Sequence, residues 1–441
     1  MTKKITEPRA MPVPSNRLSR IGRLGGMTAG IAGNMAANGL AQLGKRQRPN
    51  MRDLLLTPTN ITRVADQLAQ MRGAAMKIGQ LMSMDSGEVL PLELTQIMAR
   101  LRDDAHFMPP SQLKQVLNSE WQKGWLQSFQ AFDVHPIAAA SIGQVHRAQL
   151  KDGRDLAIKV QYPGVAKSID SDVANVGALM RISGLLPKGF ELGPYLQAAQ
   201  EQLHEETDYA REGQCLSRFG VLVKGAPEFA VPELCADWST RNILAMSFVG
   251  GVPIEQAENQ SQEKRDQIAT RLINLTLKEI FSFGVMQTDP NFANYLYDPE
   301  SGRIVLLDFG ATRDIDPVVV DQYRRIMQFG LAENIAGLAE VSEEIGFFDE
   351  TTSRNHRDQI INMIVTVFRA LSENRPFDFA NNALSREMQT KGQALAEDGF
   401  IPPPVPIDIL LLQRKFGGMF LLAKKLRARV DVVALLEAQM Q

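Results

Sequence analysis

Two aspartates and an asparagine carry the most specific chemistry in this sequence. Asp289 opens the run Asp289-Pro290-Asn291-Phe292-Ala293-Asn294, and Asp308 opens Asp308-Phe309-Gly310. Transfer of a phosphoryl group from a nucleotide needs a carboxylate near the acceptor hydroxyl. It also needs oxygen ligands that hold magnesium on the phosphates. An Asp and an Asn with four residues between them, followed by a second Asp, supply both. Three residues such as Asp-Phe-Gly recur by chance, so the signal lies in the order and spacing of the whole set. The apolar run Ile304-Val305-Leu306-Leu307 reads as the strand that delivers Asp308.

A second group of residues lies upstream. Ala138-Ala139-Ala140-Ser141 and then Gly143 and Val145 keep the frame of a glycine-rich phosphate loop, G-x-G-x-x-G-x-V, with Ala at the first two Gly positions. Alanine narrows the backbone conformations that glycine would leave open. Leu156-Ala157-Ile158-Lys159 matches the strand whose lysine meets the α- and β-phosphates. A solvated hairpin lysine is the plain alternative, but loop, Lys159, Asp289/Asn294 and Asp308 occur in kinase order. Such a lysine needs a carboxylate partner from a helix. The candidates are Glu205, Glu206, Asp208 and Glu212, of which Glu205, Asp208 and Glu212 fall at i, i+3, i+7 on one helical face. At least one of them is expected to be merely solvated.

The elements that must position these groups read as α+β. Helical periodicity covers 52–84 and 92–104, and a Pro109-Pro110 break follows. Residues 132–162 alternate as an antiparallel hairpin around Lys151-Asp152-Gly153-Arg154. Helices are expected at about 168–184, 193–222 and 261–284. Short strands are expected at 228–232, 242–248, 294–297 and 303–307, with helix from Pro317 onward, interrupted at Pro402-Pro403-Pro404.

The 441 residues carry a net charge of −2, unevenly spread. Residues 1–50 hold nine Lys/Arg and one acid, a balance of +8, leaving −10 on the remainder. A basic end on an acidic body predicts an arm that meets an anionic surface. Within it, residues 24–44 carry no charge and are long enough to cross a bilayer, but Asn34, Asn38, Gln42 and six Gly favour peripheral or oligomer-mediated contact. Gly26 and Gly30 form a close-packing GxxxG pair. The near-neutral chain argues against nucleic acid, and two cysteines, Cys215 and Cys235, exclude a disulfide framework.

On these residues the sequence resembles the UbiB/AarF family of atypical kinases, in the branch linked to mitochondrial coenzyme Q. Lys77-Ile78-Gly79-Gln80 matches the KxGQ motif, Ala138 to Ser141 the alanine-rich loop, and Glu206-Thr207-Asp208 the ExD. Gln287 to Asn294, Asp308 to Asp314, the Pro376-Phe377-Asp378-Phe379 run and the stretch 415–429 extend the match, so that it covers about residues 17–440. The resemblance implies a bilobal protein-kinase-like fold: a basic, Gly-rich arm at 1–50, a KxGQ helical extension at 51–130, an N-lobe at 131–250 and a C-lobe at 251–441. Lys77, Gly79 and Gln80 would regulate the site by occluding a peptide groove. Ala138, Ala139, Ala140 and Ser141 would cover ATP, Lys159 would contact phosphate, and Glu206 would pair with Lys159 or Lys77. Met246, Ser247, Phe248 and Val249 would form the adenine hinge. Asp289 would be catalytic, and Asn294 and Asp308 would bind Mg2+.

Gln287-Thr288 stands where protein kinases carry His-Arg, and no Ala-Pro-Glu follows Asp308-Phe309-Gly310. Both departures argue against general protein phosphorylation. The implied activity is ATP binding and slow, lipid-stimulated hydrolysis in support of ubiquinone biosynthesis. Its implied partners are quinone-biosynthesis proteins or lipid-like precursors, an anionic membrane surface and, optionally, a second copy in a homodimer. The competing expectations are a kinase of polar lipids or prenylated precursors and an ATP-gated lipid-binding scaffold. The expected place is the bacterial cytoplasm, peripheral to the inner membrane, or the mitochondrial matrix side in a eukaryote.

Overall fold

The computed structural model describes Leu68, residues 71–85, residues 107–182, Leu186, residues 192–403 and residues 405–440. The basic arm and its uncharged stretch 24–44 lie outside the described residues, as do 51–67 and 86–106. The chain divides into two compact units, Met1–Ser217 with Glu233–Phe248, and Arg218–Pro232 with Val249–Gln441.

The first unit is built on an antiparallel sheet. Strands β1 (Phe129–Phe132), β3 (Gly143–Leu150), β4 (Asp155–Gln161) and β5 (Ile243–Ser247) follow one another in space, and β2 (Ala138–Ala139) pairs with β3. The Lys151–Arg154 turn closes the β3–β4 hairpin. Gly153 sits at φ +95°, where a side chain would strain the backbone, and Asp152 accepts a hydrogen bond from the Arg154 amide. Helix α2 (Pro110–Glu120) packs Leu113 and Leu117 into a core with Phe129, Leu156, Ile158 and Ile243. A second core joins α1 (Arg72–Asp85), α3 (Val165–Ile182) and α4 (Gly193–Glu206) through Ile78, Met82, Val176, Leu179, Ala199 and Leu203.

Residues 193–222, expected as one helical run, form two helices. Helix α4 ends at Glu206 and α5 (Tyr209–Leu222) starts afresh. Asp208 accepts from the amide of Arg211, three residues on, as a helix N-cap does. Thr207 turns its hydroxyl back onto the His204 carbonyl at 2.7 Å. Glu205 and Glu212 therefore do not share one helical face.

The second unit is mostly helical. It contains α6 (Gln262–Lys278), α7 (Pro317–Leu331), α8 (Ile335–Ile345), α9 (Arg354–Glu373), α10 (Ala383–Glu397), α11 (Ile407–Lys425) and α12 (Val432–Met440). The strands set among them include β6 (Val285–Gln287) paired with β9 (Thr312–Asp314), and β7 (Tyr295–Tyr297) paired with β8 (Ile304–Leu306), both antiparallel. Helix α6 runs into a π-helical turn at Glu279–Phe283, which Gly284 ends at φ +61°. Asp316 caps α7 by accepting from Val318, and Pro317 occupies the first turn. The core gathers Leu277, Ile280, Ile326, Val341, Ile409 and Leu412.

Candidate active site

In the first unit, strand β4 carries Lys159 inward, 7% exposed. Its Nζ donates to both carboxylate oxygens of Glu212 on α5, at 2.8 and 3.0 Å, and lies 5.2 Å from the centre of the Tyr209 ring. Of the four candidate acids, Glu212 is the one paired with Lys159. Both groups are buried, so removing either would leave an unpaired charge in low dielectric, a loss of about 3–5 kcal/mol.

Glu206 takes a different lysine. One oxygen forms an ion pair with Lys77 of α1, and the other accepts from the Ser141 hydroxyl of the alanine-rich loop. The KxGQ helix is thus tied to that loop by a single carboxylate. Gly73, one turn ahead of Lys77, approaches so closely that a Cβ there would lie 2.8 Å from the Ser141 carbonyl oxygen. Gly79 is buried in the same helix, and Gln80 follows it.

The alanine loop is a tight extension of the sheet. Ala138 pairs with Val145 and Ala139 with Gln144, and the Ala140 amide donates to the Gly143 carbonyl at 2.9 Å. Ala138 and Ala139 are exposed, while Ser141 is half-buried. Gly143 is sterically required, since a Cβ would lie 2.3 Å from the Val160 carbonyl oxygen. Met246 and Ser247 end β5. Phe248 follows, its amide bonded to the Asp155 carbonyl and its ring under the Arg147 guanidinium at 4.1 Å. Val249 begins the next stretch of the second unit.

In the second unit, Asp289 lies two residues past the end of β6 and is half-buried. Its Oδ1 accepts from the Asn291 amide. Asn294, 8% exposed, donates its side-chain nitrogen to the Asp289 carbonyl at 3.1 Å. Asp308 lies just beyond β8, with φ +52°, a strained conformation for a residue with a side chain, and its Oδ1 accepts from Gly310. Gln287 binds the Asp308 carbonyl through its side-chain nitrogen, and Thr288 binds the Ala311 carbonyl through both amide and hydroxyl. Phe309 is buried and packs against Phe219 with the two rings tilted at 42°. The segment from Gln287 to Asn294 and the turn at Asp308 are therefore cross-braced.

This donor set fits magnesium in the manner of nucleotide sites. Asn294 spends its nitrogen on the Asp289 carbonyl, which leaves the amide oxygen as the end for a cation, and Asp308 adds a carboxylate. Magnesium is usually held by one or two such oxygens together with substrate phosphates and water. The described residues contain no cluster of three or more His, Cys, Asp or Glu able to hold a metal by themselves.

A family model described as ABC1 atypical kinase-like domain matches residues 100–342, more than half of the chain. The chain belongs to this family, the UbiB family of atypical kinases. This UbiB-family chain is an ATP-dependent, kinase-like enzyme with a protein-kinase-like α+β fold. It is 37% identical over 426 residues to the mitochondrial atypical kinase COQ8 of Saccharomyces cerevisiae, covering 96% of this chain and 84% of that one. It is 35% identical over 421 residues to the mitochondrial atypical kinase COQ8B of Danio rerio, covering 95% and 67%. A probable serine/threonine-protein kinase, abkA of Dictyostelium discoideum, is 31% identical over 445 residues, covering 95% and 78%. Among solved structures, the complex of Rv3197 with erythromycin from Mycobacterium tuberculosis has the same fold, with TM-score 0.58 and 24% identity over 83% of this chain and 92% of that one. Among the described residues no helix is long and apolar enough to cross a membrane.

Other features of the second unit were not singled out from the sequence. Glu279, Lys415 and Tyr295 form a buried polar cluster against Gln287. The available signal was a charge at an apolar helical position, since Lys415 follows Leu411 and Leu412 by four and three residues on α11. An apolar cavity of about 510 Å³ is walled by Ile273, Leu277, Met327, Phe368, Met388 and Phe420 among others. Cavities do not register in motif spacing, because their walls come from separate helices.

Proposed function

We propose that this chain binds ATP with magnesium and turns it over in support of ubiquinone (coenzyme Q) biosynthesis at a membrane surface, acting on lipid-like precursors rather than on proteins. One observation carries the phosphoryl-transfer half of this reading: Asn294 is hydrogen-bonded to the Asp289 carbonyl while Gln287 braces Asp308. Three oxygen-bearing side chains are thereby held as a set, as the chemistry requires. Asp289 orients the attacking hydroxyl or water and accepts its proton. Asn294 and Asp308 would hold magnesium, which would supply charge neutralisation on the phosphates. Lys159, fixed by Glu212, contacts phosphate, and the Ala138–Ser141 loop covers the nucleotide. Met246 to Val249 provide the adenine edge.

The quinone half rests on the mitochondrial COQ8 relatives and on the absence of Ala-Pro-Glu after Asp308-Phe309-Gly310. The Lys77–Glu206–Ser141 link supports a regulatory role for the KxGQ helix on the alanine loop. The apolar cavity of about 510 Å³ has the size of a small-molecule site, which favours a second reading: an ATP-gated lipid-binding scaffold with incidental turnover.

Quinone synthesis in cells carrying Asp289→Asn separates the two. Loss of synthesis with retained nucleotide binding supports turnover as the function. Persistent synthesis removes the enzymatic reading and leaves the scaffold.

A further inference from the structure

Helix α11 lies far from Asp289 in sequence, yet it touches the chain on both sides of that residue, at Gln287 and at Pro290. Lys415 is 1% exposed, which for a lysine demands a set of acceptors. Its Nζ donates to the Gln287 carbonyl at 2.8 Å, to the Gln287 side-chain oxygen at 3.3 Å and to the Tyr295 hydroxyl at 3.1 Å. The Glu279 carboxylate lies 3.2 Å away, at the first residue of the π-helical turn. One turn further along α11, Gly418 meets the residue after Asp289: a Cβ on Gly418 would lie 2.3 Å from the Cβ of Pro290. Lys415 and Gly418 are three apart, on one helical face. That face grips the chain on both sides of Asp289, at Gln287 two residues before it and at Pro290 directly after it.

The grip extends to the second aspartate. Gln287 receives Lys415 on its side-chain oxygen and gives its side-chain nitrogen to the Asp308 carbonyl. A single amide therefore relays the position of the buried ammonium to the turn that presents Asp308.

We propose that Lys415 and Gly418 are positioning residues: Lys415 anchors Gln287, and through it Asp308, while Gly418 seats Pro290, so that Asp289 and Asp308 are held in one geometry. The inference rests on the reading of those two aspartates given above. An ammonium in this position does in the core what an exposed contact could not, because its hydrogen bonds are unscreened and its alternatives are all unpaired. It also assigns work to Gln287, which stands at the position where protein kinases carry His.

The test uses two readouts on the full chain. Lys415→Met keeps the volume and removes the donors, and Gly418→Ala keeps Lys415 and displaces Pro290. Amide hydrogen exchange at Thr288, Asp289 and Asn291 reports the positioning directly. ATPase kcat, set beside the nucleotide Kd, reports its use. The expected result for both variants is exchange at these amides faster by about tenfold or more with helices α7 to α9 still protected. A matching fall in kcat and a Kd changed less than about threefold go with it. Should Lys415→Met not fold, Gly418→Ala alone decides. Unchanged exchange at the three amides overturns the positioning role whatever happens to kcat. Faster exchange with unchanged kcat upholds the positioning and instead removes Asp289 from the chemistry.

Discussion

Glu279 shows how a buried carboxyl records its surroundings. It is 2% exposed, and burial pushes its carboxyl up to about 7, against the opposing pull of Lys415 and a hydrogen bond from the Gln287 backbone. Burial also works against the charge on Lys415, but Glu279 and Tyr295 more than offset it, and the ammonium stays above its ordinary range. A carboxyl whose folded value is raised contributes its full stability below its unfolded value of about 4.5 and loses it as pH rises through about 7. Glu279→Gln removes that titration. Denaturant unfolding should find the variant close to wild type at pH 5 and relatively stabilised at pH 8, by on the order of 2 kcal/mol. A wild-type advantage that grows from pH 5 to pH 8 would contradict this assignment. At the same scale, Asp289, Asn294, Asp308 and Lys159 stood out in the sequence as candidates because the proposed chemistry would fix their spacing along the chain. It left the partner of Lys159 open among four acids, because a helix break at Thr207-Asp208 rotates Glu212 away from the face that an unbroken helix would give it.

At the scale of elements, the alanine-rich loop depends on how closely two strands approach. Gly143 begins β3 opposite Gln161 and faces the Val160 carbonyl, so even a methyl group would force the hairpin apart. Gly143→Ala should lower stability by about 1–3 kcal/mol, read as a depressed melting temperature of the chain. An unchanged melting temperature would mean that the strand ends yield freely. The hairpin itself was legible, since the alternation in 143–150 and 155–161 and the Lys-Asp-Gly-Arg turn are local signals. Two things at this scale were not legible. The two-residue strand Ala138–Ala139 has too little sequence to carry a pattern, and it forms only because β3 offers it an edge. The π-helical turn at Glu279–Phe283 extends a helical pattern without altering its periodicity visibly, so the run 261–284 reads as one helix.

At the scale of the whole molecule, the +8 arm on a −10 remainder is a separate electrostatic object. Lys/Arg residues near an anionic bilayer each contribute about 1 kcal/mol, within a Debye length. Deleting residues 1–50 should weaken co-sedimentation with anionic liposomes most strongly at low salt. Undiminished binding at low salt would refute the assignment of membrane contact to the arm. The fold class, the family and the order of the catalytic elements could all be read from the chain because each is written in local pattern or in spacing. The division at Ser217/Arg218 and Pro232/Glu233 could not, because it runs through helix α5 and along short connections that carry no compositional break. Nor could the buried Lys415–Glu279 pair, whose members stand 136 positions apart and meet only through packing.

Asp289, on the proposed function, performs chemistry on a nucleotide that other residues bind. Magnesium-dependent ATP hydrolysis by wild type and Asp289→Asn, measured in the presence of liposomes with a polyprenyl-phenol and set beside the nucleotide Kd of each, tests it most directly. Turnover lower by about a hundredfold or more, with Kd unchanged within about threefold, is the predicted result. Equal turnover in the two proteins would contradict it.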